Sequence, residues 1–278
     1  MIRKASHIAV VFFLGILISQ PGWAYDASKH QKSAGKHEGA GKHGGGHGGG
    51  HGGGHGGHHY GPSGPPADVP AHIKERTSPD GTGINLNRSQ IGVEGITVLA
   101  NTPELANVKT LALQGNKLGD EGVQILASSE TFKHAEKISL WGNEITEKGA
   151  QSIAQSTTLT HLKNLILSRN KLGDAGAITI INSDNARSLE VLNLDNNQIT
   201  DNGAKAIASS DKLGNLKELD LLANQISAEG IKALIQSSTL KNLEYLQVLG
   251  NPYDIDTAHE LMKSITLPKL KPENLILY

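Results

Sequence analysis

Histidines at a regular spacing are the residues of this chain whose type and position best suit chemistry. Within a glycine-rich stretch, five of them recur at every fourth position, separated mostly by triple glycine. These five and one neighbour are the candidate metal ligands: His43, His47, His51, His55, His59 and His58. Imidazole is the commonest metal ligand near neutral pH, and glycine spacers allow several rings to converge on one ion. The tract is therefore predicted to bind Ni(II), Cu(II) or Zn(II), with modest affinity because no site geometry is preformed.

The same tract has a second interpretation, as a flexible tether whose histidine content reflects repeat expansion. Residues 25–80 are rich in His, Gly and Pro and contain few apolar side chains. Such a segment cannot bury enough apolar surface to offset the entropy lost on ordering. We therefore predict that residues 25–80 are disordered.

Two further histidines, His134 and His161, lie 27 residues apart, which is also the period of the repeats described below. Two rings about one strand spacing apart could share a metal ion. Asn107, Ser188 and Asn215 occupy equivalent positions in other repeats. Because Asn and His are both enriched at turn positions, a structural turn is the favoured interpretation.

The sequence contains no recognisable catalytic motif: G-x-S-x-G, H-E-x-x-H and P-loop patterns do not occur. Asp120, Asp174 and Asp201 lack the alternating acidic ladder of a calcium loop, and helix capping accounts for them. Lys and Arg number 26 against 27 acids, so no basic excess is available for nucleic acid. We expect no enzymatic activity, no required cofactor and no nucleic-acid partner.

The first 24 residues have the composition of a secretory signal peptide. Arg3 and Lys4 precede an apolar stretch over residues 8–18, and small residues end the segment at Gly22 and Ala24. The stretch is too short for an ordinary transmembrane helix, so no stable membrane span is expected; an uncleaved anchor is the alternative. The chain has no cysteine, which favours a bacterial periplasmic or secreted protein over an animal extracellular one.

A 27-residue repeat identifies the architecture of residues 81–278. Asparagine recurs at this interval, an apolar residue stands three positions before it and another two positions after it, and glycine follows four positions further on. The asparagines are Asn116, Asn143, Asn170, Asn197, Asn224 and Asn251.

Each repeat reads as a short strand, a turn and a helix. Leu192-x-Leu194 alternates as a half-buried strand does, Asn197 turns the chain, and Thr200 precedes a helical pattern. Since no repeat can bury its apolar face alone, the units must stack. The predicted fold is an α/β solenoid, a horseshoe of 27-residue strand-turn-helix units with a parallel concave sheet.

The pattern resembles the ribonuclease-inhibitor type of leucine-rich repeat. The resemblance implies a protein-binding module without shared chemistry. It weakens at both ends: Ser89 replaces Asn in the first copy, and Asn251-Pro252 interrupts the last. Terminal caps are expected there, with Leu275-x-Leu277 as a final edge strand.

Large apolar side chains stand at strand positions that should point to solvent on the concave sheet. They are the candidate partner-binding residues: Trp141, Ile166, Val191, Leu222, Tyr245 and Leu249. Exposed aromatic residues are frequent anchors of protein interfaces. Burial under the C-terminal cap is an equally good explanation for Leu222, Tyr245 and Leu249.

Two hypotheses of function follow from the sequence. The first is an exported module that binds a protein or peptide on its concave face. The alternative is a metal buffer or delivery protein that acts through the histidine tract, with the repeat domain as a docking unit.

Overall fold

The structure, a computed structural model, describes residues 64–277. Within this range eight parallel strands form one sheet in chain order, from β1 to β8. The register advances by one repeat per strand, as in the pairing of Leu165 with Leu192. The α/β solenoid predicted from the periodicity is confirmed.

The elements alternate strictly from the first strand onward. The strands are β1 Gly83–Asn85, β2 Thr110–Ala112, β3 Lys137–Ser139, β4 Asn164–Ile166, β5 Val191–Asn193, β6 Glu218–Asp220, β7 Tyr245–Gln247 and β8 Leu275–Ile276. The helices are α1 Val69–Arg76, α2 Gly92–Ala100, α3 Gly119–Ser128, α4 Glu147–Ala154, α5 Gly173–Ile181, α6 Asp201–Ser209, α7 Ala228–Ile235 and α8 Ile255–Lys263. Among these described residues, no helix combines the length and apolar character needed to cross a bilayer.

The core lies between the sheet and the helices. The middle residue of each strand points into it, and Leu192, Leu219 and Leu246 are fully buried there. Because side chains alternate across a strand, the residues before and after each of these face the opposite side. The chain thereby presents one uncovered sheet face, which we call the concave face.

The asparagine column joins each loop to the loop of the preceding repeat. All six asparagines are buried. Asn170 donates from Nδ2 to the carbonyl oxygens of Leu140 and Leu167, and its Oδ1 accepts from the backbone nitrogens of Asn143 and Ile145. Bends that no strand ladder covers are satisfied in this way, as the sequence predicts.

Helix starts are of two kinds. Thr146, Thr200 and Ser227 accept from the backbone at the starts of α4, α6 and α7. Gly119 and Gly173 begin α3 and α5 with positive φ and no side-chain cap.

The ordered domain begins before residue 81, so the predicted disorder of residues 25–80 is wrong for residues 69–76. Asp68 caps α1 by accepting from the backbone of Ala71, and Ile73 is buried in the core. His72 then bonds Ser89, the residue that replaces asparagine in the first repeat. The buried Ile73, the partly buried Val69 and the Asp68 cap hold this short helix against the array, which the few apolar residues of the segment concealed.

At the other end, the last repeat keeps its helix. Asp254 caps α8 one period after Ser227, and β8 pairs with β7 as the expected edge strand. Asn251-Pro252 therefore shapes the turn without ending the array.

Candidate binding site on the concave face

The six predicted partner-binding residues all lie on the concave face. Val191 and Tyr245 begin their strands, Ile166 ends β4, and the others follow the strand ends by two residues. Trp141, Ile166, Val191, Leu222 and Tyr245 are partly buried, and Leu249 is 36% exposed.

An apolar centre forms around Trp141 and Ile166. The two residues belong to adjacent repeats, since Ser139 of β3 pairs with Ile166 of β4. The Cζ atom of Arg169 lies 5.3 Å from the centroid of the Trp141 ring, which is a cation–π contact. Within the described chain, the indole Nε1 of Trp141 is buried and lacks a hydrogen-bond partner. A buried N–H without an acceptor is costly.

The position of Arg169 depends on an unusual backbone conformation. Its φ is 52°, in the left-handed region, where the two preceding repeats have Gly115 and Gly142. Such a conformation costs a non-glycine residue about 1 kcal/mol or more. The same position has positive φ in the other repeats, at Arg88, Asn196 and Ala223 as well as at the glycines, so this conformation belongs to the turn of every repeat.

A polar network continues from the apolar centre across three strands. Ser168 Oγ donates to Asn193 Oδ1 over 2.6 Å, and Asn193 Nδ2 donates to Asp220 Oδ2 over 3.0 Å. Asn193 Oδ1 also accepts from the backbone of Asp195, and Asp220 Oδ1 accepts from the backbone of Leu222. These contacts fix the orientation of both side chains in the network.

Three carboxyl groups in or beside this network, those of Asp195, Glu218 and Asp220, lie in surroundings that raise their pKa. Burial, reinforced by the charge of nearby Asp195, raises the pKa of Asp220 from an ordinary 3.8 to about 6. Burial also raises the pKa of Asp195, whose residue is only 6% exposed. The pKa of Glu218 is raised by burial and by Glu244. In the described part of the chain, no basic side chain forms an ion pair with Asp195, Glu218 or Asp220.

Tyr245 of β7 lies near the carboxyl groups of Asp220 and Glu218. Its hydroxyl donates to Gln247 Oε1 over 2.7 Å, and burial together with the charge of Asp220 raises its pKa to about 12. Leu249 remains exposed, so the C-terminal segment does not bury it. Sequence analysis did not predict that Asp195 and Asp220 lie together. The feature that could have indicated it is an acidic residue on the outward side of two consecutive repeats.

His134 and His161 lie in turns at the edge of the sheet. Their ring centroids are 6.4 Å apart with planes tilted by 53°. The nearby carboxylate of Glu136 pairs with Lys109 and Lys163. Residues 64–277 contain no group of three or more His, Cys, Asp or Glu side chains that could hold a metal ion. The candidate ligands between His43 and His59 lie outside the described residues.

Part of the repeat region is similar to a known protein family. Four segments match the family model described as Leucine Rich repeat, over residues 104–127, 158–180, 185–208 and 214–234. No curated protein matches the chain. The matched segments are similar to leucine-rich repeats, which agrees with the stacked strand-and-helix units of the solenoid. Leucine-rich repeats of this kind suggest a protein-binding module.

Proposed function

We propose that this protein is exported and binds a protein or peptide partner on its concave face. The observation that carries the proposal is the apolar centre, the partly buried side chains of Trp141 and Ile166 on a sheet face that no helix covers. Interfaces favour such an arrangement, in which an aromatic anchor is surrounded by polar groups. The composition of residues 1–24 supports export to the periplasm or the medium.

The repeat geometry supports the finer assignment to the ribonuclease-inhibitor type. Each 27-residue unit between β2 and α7 contains one strand and one α-helix of eight to ten residues. The helices widen the outer side of the solenoid and leave the sheet as its inner, concave surface. A rigid sheet of eight short strands suits recognition because little backbone ordering remains to be lost on binding.

A pull-down with the full chain tests the proposed site. We expect Trp141→Ala to weaken capture of the partner from the envelope fraction of the producing cell by about 2 kcal/mol, or roughly 30-fold. Gln124→Ala, on the exposed side of α3, is the matched control and should leave capture unchanged. Circular dichroism establishes that both variants are folded. Equal capture by wild type and Trp141→Ala would contradict the proposed site.

Metal binding by the histidine tract is a second proposal, supported by the four-residue spacing from His43 to His59. Replacing His43, His47, His51, His55, His58 and His59 by Asn should abolish most Ni(II) or Cu(II) binding measured by calorimetry. Wild-type binding should disappear below about pH 5.5, where imidazoles are protonated. If the substituted chain binds as much metal as wild type, the tract is not the site. Capture that requires metal would favour the delivery hypothesis, whereas capture that persists with a chelator favours the repeat domain.

A further inference from the structure

We propose that the partner inserts a lysine or arginine side chain between Asp195 and Asp220, two repeats along the concave face from the apolar centre at Trp141 and Ile166. This inference rests on the proposed function and names the chemistry of the ligand. The acidic side chains in question, which we call the acidic pair, come from adjacent repeats: Asp220 ends β6, and Asp195 follows β5 by two residues.

The hydrogen bonds of the acidic pair leave acceptor capacity on the concave face. Asp220 accepts one bond at each oxygen, from the backbone of Leu222 and from Asn193. A carboxylate accepts about four hydrogen bonds when it is ionised. The two contacts therefore orient the group without saturating it. A guanidinium or ammonium group can supply the remaining donors together with the missing positive charge.

The nearest cations of the described chain are engaged elsewhere. Arg169 attracts Asp195 but places its guanidinium against the Trp141 ring at 5.3 Å. Lys217 bonds Glu190 over 2.6 Å. The repulsion between Asp195 and Asp220, which contributes to the raised pKa of Asp220, is consequently not relieved by an ion pair among the described residues. Buried charges are normally paired, so the arrangement is complementary to a cation from outside the described chain.

The neighbouring apolar centre makes a protein segment a better occupant than a free cation. Asp195 lies two repeats from Trp141, and two strand spacings amount to about 10 Å. A partner that spans this distance can place an apolar side chain against Trp141 and Ile166 and a basic side chain at the acidic pair.

A phage-displayed random peptide library provides the probe. The library is selected on the full chain, and individual synthetic peptides are then measured by fluorescence anisotropy against wild type, Asp195→Asn, Asp220→Asn and Trp141→Ala. Asparagine preserves the shape of the side chain and removes its charge. Melting curves identify any variant that is misfolded. We expect the same loss of affinity from Asp195→Asn and from Asp220→Asn, so one folded variant of the two is sufficient for the test.

We expect the selected peptides to be enriched in Lys or Arg next to an apolar residue. Their affinity should fall roughly 30-fold or more for either Asp→Asn variant, and replacing the basic residue of a peptide by Gln should produce a similar loss. Peptides that require Trp141 but lack a basic residue, or that bind the Asp→Asn variants normally, would overturn this inference and leave the proposed function intact. Peptides that bind independently of Trp141 would contradict both. Self-association in sedimentation experiments that either Asp→Asn substitution abolishes would overturn the inference in favour of a second copy as occupant.

Discussion

Asp220 illustrates at the scale of one residue how the concave face differs from the core. Its side chain points away from the helices and lies among Asn193, Asp195 and Leu222. The shifted pKa means that the ionised carboxylate is less stable here than in the unfolded chain. A residue that weakens the fold at neutral pH is better explained by binding than by packing.

The pH dependence of stability tests this view of Asp220. Because its folded pKa of about 6 exceeds the ordinary 3.8, the carboxylate destabilises the folded chain above pH 6. This penalty disappears as the pH falls through 6 towards 4, where the folded state takes up the proton first. The shift corresponds to at most about 3 kcal/mol. We expect Asp220→Asn to stabilise the chain by about 1–2 kcal/mol at pH 7.5, since the amide loses part of the bonding to Asn193.

Urea denaturation of wild type and Asp220→Asn at pH 7.5 and pH 4 measures this difference. The gain in the free energy of unfolding from Asp220→Asn should vanish at pH 4. Asp211→Asn, at an exposed residue, is the control and should change neither value. A gain that is equal at both pH values, or a loss at pH 7.5, would show that the charge of Asp220 does not destabilise the fold.

The comparison of sequence and structure is also clearest at individual residues. The burial of Asn170 and the outward direction of Trp141 follow from the period alone, because each repeat places equivalent residues alike. The bond from Ser168 to Asn193 and the contact of Arg169 with Trp141 do not follow. They depend on side-chain rotamers, which a repeat pattern does not encode.

At the scale of the secondary-structure element, the helices cap one another across repeats. Asp174 at the start of α5 accepts from the backbone nitrogens of Thr200 and Gly203 and from the Thr200 hydroxyl, which belong to the next repeat. Sequence analysis assigned such aspartates to capping but placed them on their own helix. Where the preceding repeat has no aspartate at this position, as at Glu147, the next helix begins with a glycine, Gly173.

Removing one of these carboxylates should destabilise the array. Asp174→Ala leaves two backbone N–H groups of α6 without acceptors, and we expect a loss of about 2 kcal/mol in the free energy of unfolding. Glu147→Ala is the matched control, because this exposed residue occupies the equivalent position in its repeat, and its loss should stay well under 1 kcal/mol. Chemical denaturation of both variants provides the comparison. Equal effects would show that the bonds between repeats contribute nothing specific.

A double-mutant cycle can separate the contact from the general effect of substitution. Asp174→Ala and Thr200→Ala should show a coupling energy of about 1 kcal/mol, since the two side chains bond directly over 2.6 Å. Additive losses would mean that each residue caps its helix independently.

At the scale of the whole molecule, charged side chains alternate in sign from one stacked repeat to the next. One edge of the sheet carries alternating charges at the repeat interval: Lys109, Glu136, Lys163, Glu190, Lys217 and Glu244. Glu136 pairs with both neighbouring lysines, and Lys217 pairs with Glu190. Each pair is exposed and contributes little stability. If a repeat packed against the next repeat but one, like charges would nevertheless meet at this edge. The alternating charges therefore favour the correct stacking of neighbouring repeats.

Site-specific photo-crosslinking tests the central claim, that the concave face is where the partner binds, most directly. A benzophenone amino acid replaces Tyr245 on the concave face of the full chain, or Gln151 on the exposed side of α4 as the control. Both proteins are irradiated in the producing cell, and adducts are resolved by mass. We expect one discrete protein adduct from position 245, abolished by Trp141→Ala, and none from position 151. Adducts from position 151 alone, or adducts at position 245 that Trp141→Ala leaves unchanged, would contradict the claim.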